Sequence, residues 1–269
     1  MNTALTAPVQ RAFTPGSALA NTSTITARNL RRLTRVPTLM ALATIQPILL
    51  VTLFAYAFGG AVHVPGTMHY IDYLLPGVLV LAIGFGASQT GVAVADDLAS
   101  GMIDRFRSLP IAGASVLAGR VAADAVRNMF VVGLMLTVGS AIGFRFYAGP
   151  AAALGVVVLA VAAGIAFSWL NLLLGIVVRD AETAGLAGLF PVIILTFTSS
   201  ALVPVATMPG WLQAFAKTNP ITVITGALRA LSLGGPTARP AAEALAWIGG
   251  LLLVTVPAAI SRYRRAASA

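Results

Sequence analysis

A chain of 269 residues that is 58% hydrophobic and only 9% charged, with a mean hydropathy of +0.91, lies outside the range of water-soluble domains and reads as a polytopic membrane protein. Its formal net charge of +9 does not argue for nucleic acid. With both termini cytoplasmic, 13 of the 17 basic residues fall inside (five from Arg11 to Arg35, four from Arg105 to Arg127, Arg179, and three from Arg262 to Arg265), which is the positive-inside asymmetry. The absence of cysteine excludes disulfides and thiol nucleophiles, and the single lysine, Lys217, reflects a GC-rich coding bias.

Residues 1–22 are polar and lack the apolar core of a cleavable signal, so they are expected to form a disordered cytoplasmic tail. Arg28, Arg31, Arg32 and Arg35 then follow i, i+3, i+4, i+7 spacing, which predicts a basic amphipathic helix along the membrane surface. Charges divide the remainder into neutral intervals, each able to hold one helix of about 20 apolar residues. Six transmembrane helices follow, in an all-α fold with both termini cytoplasmic: 38–60, 71–95, one ending near residue 144, 151–177, 184–203 and 241–260. In the first outer loop His63 and His69 stand six apart without a third ligand, which makes them ordinary loop residues rather than a metal site.

Between spans two and three lies a charged island. Residues 96–127 carry 8 of the 25 charged residues, far more than a simple membrane loop needs. Ser100 is a plausible N-cap and Pro110 a stop, so Gly101 to Leu109 reads as a two-turn helix too short to cross. Met102, Ile103, Phe106 and Leu109 form its apolar ridge, and Asp104, Arg105 and Arg107 its charged flank. The third span is predicted to start near Ser115, with residues 115–126 projecting below the membrane. Arg120, Asp124 and Arg127 would share one face there as an ion-pair ladder, Arg127 snorkelling at the inner interface.

Span five opens with Gly185 and Gly188, which permit close helix contact, and carries Thr196, Thr198, Ser199 and Ser200. Those hydroxyls either bond back to their own helix carbonyls or line a path. From Pro204 to Gly235 the pattern is two short helices: Pro209 opens one holding Trp211 and Phe215, Asn219 breaks it, and Pro220 opens a second that ends at Gly234. Lys217 and Arg229 prevent either from crossing, so both are expected to dip into the outer leaflet. The single domain spans 23–262, and 263–269 form a second cytoplasmic tail.

Catalysis by the chain itself is not expected. A phosphate-binding loop needs lysine after glycine, whereas Lys217 follows Ala216. No Ser/His/Asp arrangement is evident, and the eight acids stand near span ends or in loops rather than at mid-membrane, where an ion-coupled carrier buries them. Energy is therefore expected from another chain. The alternatives are a non-transporting scaffold that recruits a cytoplasmic protein through the island, and an ion-coupled carrier.

The ordered set Gly101 to Pro110, Gly119-Arg120 with Asp124, Gly143-Phe144-Arg145-Phe146, Met208-Pro209-Gly210-Trp211, Asn219-Pro220 and Ala227-Leu228-Arg229 resembles the membrane subunit of type-2 ABC exporters, in particular the daunorubicin-resistance-like permeases. The resemblance covers about residues 25–262. It implies that Arg28, Arg31, Arg32 and Arg35 lie on a connecting helix. It also implies that Gly101, Met102, Asp104, Arg105, Phe106, Arg107, Leu109 and Pro110 form a coupling helix docking on a separate ATP-binding subunit. ATP and Mg would be bound by that subunit, with no cofactor or metal in this chain. Further implied partners are a second permease, identical or homologous, membrane lipid and an amphiphilic drug or lipid cargo, in a bacterial plasma membrane and without nucleic acid. Mapped onto the chain, Phe85, Gln89, Phe197 and Ser199 are expected to line the path, and Trp211, Phe215, Asn219 and Pro220 to form the outer gate. Relatives carry Glu-rich sequence just before the glycine, where this chain has Asp97-Leu98-Ala99-Ser100.

Overall fold

A computed structural model describes residues 22–31, 37–59, 69–100 and 113–266. Among these residues there is no strand. The helices are α1 (22–31), α2 (Pro37–Phe58), α3 (Tyr70–Ala99), α4 (Gly113–Ile142), α5 (Pro150–Val178), α6 (Ala181–Phe197), α7 (Gly210–Thr218), α8 (Pro220–Leu233) and α9 (Ala238–Ala266), with a 3₁₀ turn at Val205–Thr207. Four stretches are long and apolar enough to cross a membrane, Tyr70–Ala99, Ala114–Ile142, Pro150–Val178 and Ala238–Arg265. Thr44–Ala57, Ala181–Phe197 and Pro220–Leu233 are shorter apolar helices.

Helix α3 is the centre of the bundle. It packs most extensively against α5 and then α6, and it also touches α2, α4 and α8. The most apolar window of α3 is 72% buried inside the chain, against 22% for α9, so α3 forms the axis while most of α9 faces outward. The main core joins Leu74, Leu75, Val78 and Leu79 of α3 to Met135, Leu159, Ala163, Ile221 and Leu228. A smaller cluster at the inner end gathers Val94, Leu117, Val121, Trp169, Leu172, Ile176, Ala259 and Tyr263.

Close approach of these helices depends on side chains that are missing. A Cβ on Gly175 would lie 2.3 Å from the Gly91 carbonyl oxygen, and one on Gly188 would lie 2.0 Å from Asn171 Oδ1. Lipid supplies no hydrophobic drive for helices to associate, so backbone proximity of this kind supplies the packing energy. Gly188 thus makes the close contact expected of it.

The turn at 143–146 follows from one backbone angle. Gly143 has φ +127°, a region that side-chain-bearing residues avoid, and the chain turns there after α4. Phe144 is driven into the core at 1% exposure and meets the Phe146 ring edge-on at 5.0 Å. The Arg145 amide donates to Asp72 Oδ1 at 3.0 Å and the Tyr147 hydroxyl to Asp72 Oδ2 at 3.2 Å, so the one buried acid at the outer end of α3 is a structural acceptor.

Several boundaries differ from the sequence expectation, α3 running to Ala99 rather than 95 and α9 to Ala266 rather than 260. Helix α6 ends at Phe197 rather than near residue 203, because its hydroxyls capture the last carbonyls: Thr198 Oγ1 donates to Ile194 O at 2.7 Å and Ser199 Oγ to Thr196 O at 2.7 Å. Helix α4 begins at Gly113, two residues before Ser115.

At the turn between α5 and α6 Asp180 caps α6 by accepting from the Thr183 amide at 2.7 Å, and hydrogen bonds from the Thr183 side chain first and its amide second hold the carboxyl below the ordinary carboxylate range. A lowered folded-state pKa places the stabilisation above the unfolded value of 3.8 and removes it as pH falls through the folded one. The cap should therefore be intact at neutral and mildly acidic pH and fail only in stronger acid. Amide exchange at Thr183 is expected to rise in Asp180→Ala at neutral pH and to stay slow in Asp180→Asn, whose amide oxygen still accepts.

Candidate transport path and its two ends

At the end of the bundle where α3 finishes and α4 begins, α1 docks on α4. Ile25 is buried against Gly119, where a Cβ would stand 2.8 Å from that of Ile25, and Thr26 Oγ1 donates to the Gly119 carbonyl at 3.1 Å. The Gly119-Arg120 pair in the sequence thus has two jobs, a notch for α1 and a charge. Arg28 and Arg31 are exposed on α1; Arg32 and Arg35 lie outside the described residues. So does the whole segment Gly101, Met102, Asp104, Arg105, Phe106, Arg107, Leu109 and Pro110, together with His63.

The ladder expected on α4 is rearranged. Arg120 Nη2 pairs with Asp97 Oδ2 of α3 at 3.0 Å, both side chains being more than four-fifths buried, rather than with Asp124 one turn away. Asp97 faces Arg120 across the seam between the two helices, whereas Asp124, no less buried, is engaged elsewhere. Asp124 instead accepts from the Thr90 hydroxyl of α3 and pairs with Arg127 at 3.4 Å. Arg127 does not snorkel. Its Nη2 lies 3.0 Å from where a Gly86 Cβ would be, closed off from solvent, because Asp124 supplies a counter-charge and Gly86 leaves a notch.

Above these rungs the interior carries a thin polar band. Asn128, Ser168 and Asn171 are buried at 1%, 0% and 2% exposure between α3, α4, α5 and α6. Asn171 Nδ2 donates back to Phe167 O at 2.9 Å, while its Oδ1 rests on Gly188. On α3, Phe85 and Gly86 are half-buried and Gln89 is exposed, so the only open strip of this axial helix before its inner terminus begins there. Phe197 is 58% exposed and continues an outward ridge formed by Leu186, Phe190 and Ile194. Three of the four path candidates therefore present surface. Ser199 does not: at 1% exposure it donates to Thr196 O and accepts from the Ala201 amide at 3.0 Å, terminating α6.

At the opposite end of the bundle the two short helices form as their prolines and glycine dictate. Asn219 is buried, caps α8 by accepting from the Ile221 amide at 2.8 Å, and donates through Nδ2 to Leu195 O at 2.8 Å, tying the hairpin to α6. Pro220 occupies the first position of α8 and is half-buried; Trp211, 76% exposed, and Phe215, 47% exposed, point away from the chain. Arg229 is the residue whose role the sequence did not reveal. Its guanidinium lies 3.5 Å from the Tyr73 ring centroid, donates through Nε to Tyr73 O at 2.9 Å, through Nη1 to Ser200 Oγ at 3.2 Å, and through Nη2 to Ser200 O and Ala201 O at 2.7 and 3.0 Å. A cation is held here by a ring face and by carbonyls just beyond the C-terminus of α6, with no carboxylate among these partners. Tyr73 and Tyr70 complete the latch by donating to Ser200 O at 2.8 Å and Leu202 O at 3.2 Å.

An axial helix wrapped by others, long apolar stretches, and polar groups gathered at two ends and in one thin band define a multi-pass, all-helical membrane protein. The chain belongs to the ABC-2 type transporter family, which it matches over residues 20–233. It is 29% identical over 252 residues to the daunorubicin resistance ABC transporter permease protein DrrB1 of Streptomyces coeruleorubidus, an overlap of 93% of this chain and 89% of that one. It is likewise 29% identical over 228 residues to the probable doxorubicin resistance ABC transporter permease protein DrrC of Mycobacterium tuberculosis, covering 84% and 82%. A doxorubicin resistance ABC transporter permease protein, DrrB, of the same species is 31% identical over 177 residues, covering 64% and 59%. The chain is the membrane permease subunit of an ABC exporter.

Proposed function

We propose that this permease moves amphiphilic drugs or lipids outward across a bacterial plasma membrane, working with a second permease and with separate ATP-binding subunits that carry ATP and Mg. The observation that carries the reading is the geometry of α3 and α4. Each has 30 residues, about 45 Å of helix against the roughly 30 Å of a bilayer core, an excess shared by the 29-residue α5 and α9, so the ends of these helices extend beyond the membrane. The segment 101–112 joins the inner ends of α3 and α4, where the apolar ridge and charged flank read from the sequence would meet an ATP-binding partner.

In this reading α2, α3, α4, α5, α6 and α9 are the six spans, both termini are cytoplasmic, and α7 and α8 dip in from the outer face. Helix α6, at 17 residues, supplies about 26 Å, short for a span. The hairpin tied to its end by Asn219 and Arg229 makes up the difference. Gln89, Phe85 and Phe197 offer surface to cargo, and Trp211 and Phe215 border its exit. The names of the relatives, daunorubicin and doxorubicin resistance permeases, support a drug as one cargo.

Phe106→Asp and Arg105→Glu are expected to abolish co-purification with the ATP-binding subunit and to abolish export, while membrane insertion and unfolding temperature stay as in the wild type. Normal association and export by both variants would overturn docking at this segment. A scaffold would recruit the partner yet transport nothing in reconstituted vesicles.

A further inference from the structure

We propose that the Asp97–Arg120 pair is a mechanical joint. It fixes the inner ends of α3 and α4 to one another so that a displacement of the segment between them moves both helices as one body. The inference builds on the docking proposed above but concerns residues outside that segment.

Three observations carry it. First, the two side chains are 14% and 18% exposed and 3.0 Å apart, so they face each other and not a partner. Asp96, the neighbouring acid, is exposed and remains available for outside contacts. Second, the pair is not isolated: Thr90 and Asp124 bridge the same two helices further along, giving two polar rungs on one seam. Apolar side chains let helices slide in small steps, whereas a desolvated ion pair resists displacement because separation leaves two unpaired charges. Third, the joint is braced from two other parts of the chain. Tyr263 of α9 and Ile25, Arg28 and Asn29 of α1 line the same small cavity with Asp97 and Arg120, and α1 is seated on Gly119, the residue next to Arg120. Four helices thus converge at this point, directly over the apolar cluster of Val94, Leu117 and Tyr263.

Asp97 and Arg120 act here as positioning residues. They touch no cargo and no nucleotide. Breaking the pair should let one helix move without the other, so ATP would still be hydrolysed but its work would not reach the path.

The test uses the full permease with its ATP-binding subunit in vesicles of bacterial phospholipid, with doxorubicin as the probe. Asp97→Asn and Arg120→Gln are expected to keep assembly and ATP hydrolysis within about twofold of wild type while doxorubicin moved per ATP falls about tenfold, a change of about 1.4 kcal/mol in coupling. The exchanged pair, Asp97→Arg with Arg120→Asp, is expected to recover most of that loss. Undiminished transport by the single variants, or an assembled exchanged pair with no recovery, would overturn the joint. Because the chain contains no cysteine, spin labels can be placed at Ala99→Cys and Ala118→Cys without background. Their distance distribution should be narrow in the wild type and broad in Arg120→Gln, and an unchanged distribution refutes the joint even if doxorubicin is not a cargo. Wild-type failure to transport with a narrow distribution would instead count against the proposed function alone.

Discussion

Arg229→Ala is expected to lose about 2–4 kcal/mol of stability and to release the outer hairpin. The alanine removes the guanidinium donors to the carbonyls of Tyr73, Ser200 and Ala201, leaving Ser200 O only the Tyr73 hydroxyl, and each hydrogen bond to a charged group contributes about 1.5–3 kcal/mol. The cation–π contact with Tyr73 adds about 0.5–2 kcal/mol. Against these stands the relief of no longer holding a cation in a partly buried site, so the terms do not simply add. Arg229→Lys should recover only part of the loss, because one ammonium cannot fork across three carbonyls and stack on a ring at once. Thermal unfolding in detergent gives the magnitude, and amide exchange over residues 204–233 shows whether the loss is local. A destabilisation below about 1 kcal/mol would mean that the latch contributes little.

Gly175→Val is expected to be severely damaging to the contact between α3 and α5. A Cβ there meets the Gly91 carbonyl oxygen at 2.3 Å, and that atom is backbone, so no rotamer can move it aside. Helices α3 and α5 must separate, and their contact is the most extensive in the molecule. Overpacking of this kind costs about 1–3 kcal/mol where side chains can yield, and more where they cannot. Gly226→Ala is the control, since nothing lies within 4 Å of its added Cβ. The valine variant should show a lower unfolding temperature and yield, with the Gly226 variant near wild type. Equal behaviour of the two would contradict the close packing of α3 on α5.

Local punctuation was legible in the sequence wherever one residue decides the backbone. Pro209, Asn219, Pro220 and Gly234 marked the hairpin to within a residue or two. The end of α6 was not legible in this way, because Thr198, Ser199 and Ser200 continue a hydrophobic run by count while ending the helix by hydrogen bonding. Charge periodicity identified Arg120, Asp124 and Arg127 as a set, but only the approach of α3 decides that Arg120 takes Asp97 and that Arg127 folds onto Gly86. Arg229 stands out in the sequence as a cation in a short apolar helix. Its partners, however, lie 28, 29 and 156 positions away, and no local pattern reports such contacts. The path candidates were the least legible, since exposure on a membrane helix does not distinguish cargo from lipid.

The central claim is that this chain supplies the path and another supplies the energy. The direct measurement is doxorubicin uptake by inside-out vesicles containing the permease and its co-purified ATP-binding subunit, with and without ATP and after collapse of ion gradients. Uptake should require ATP, survive collapse of the gradients, and disappear in Phe106→Asp. Uptake that continues without ATP and stops when the gradients collapse would contradict it.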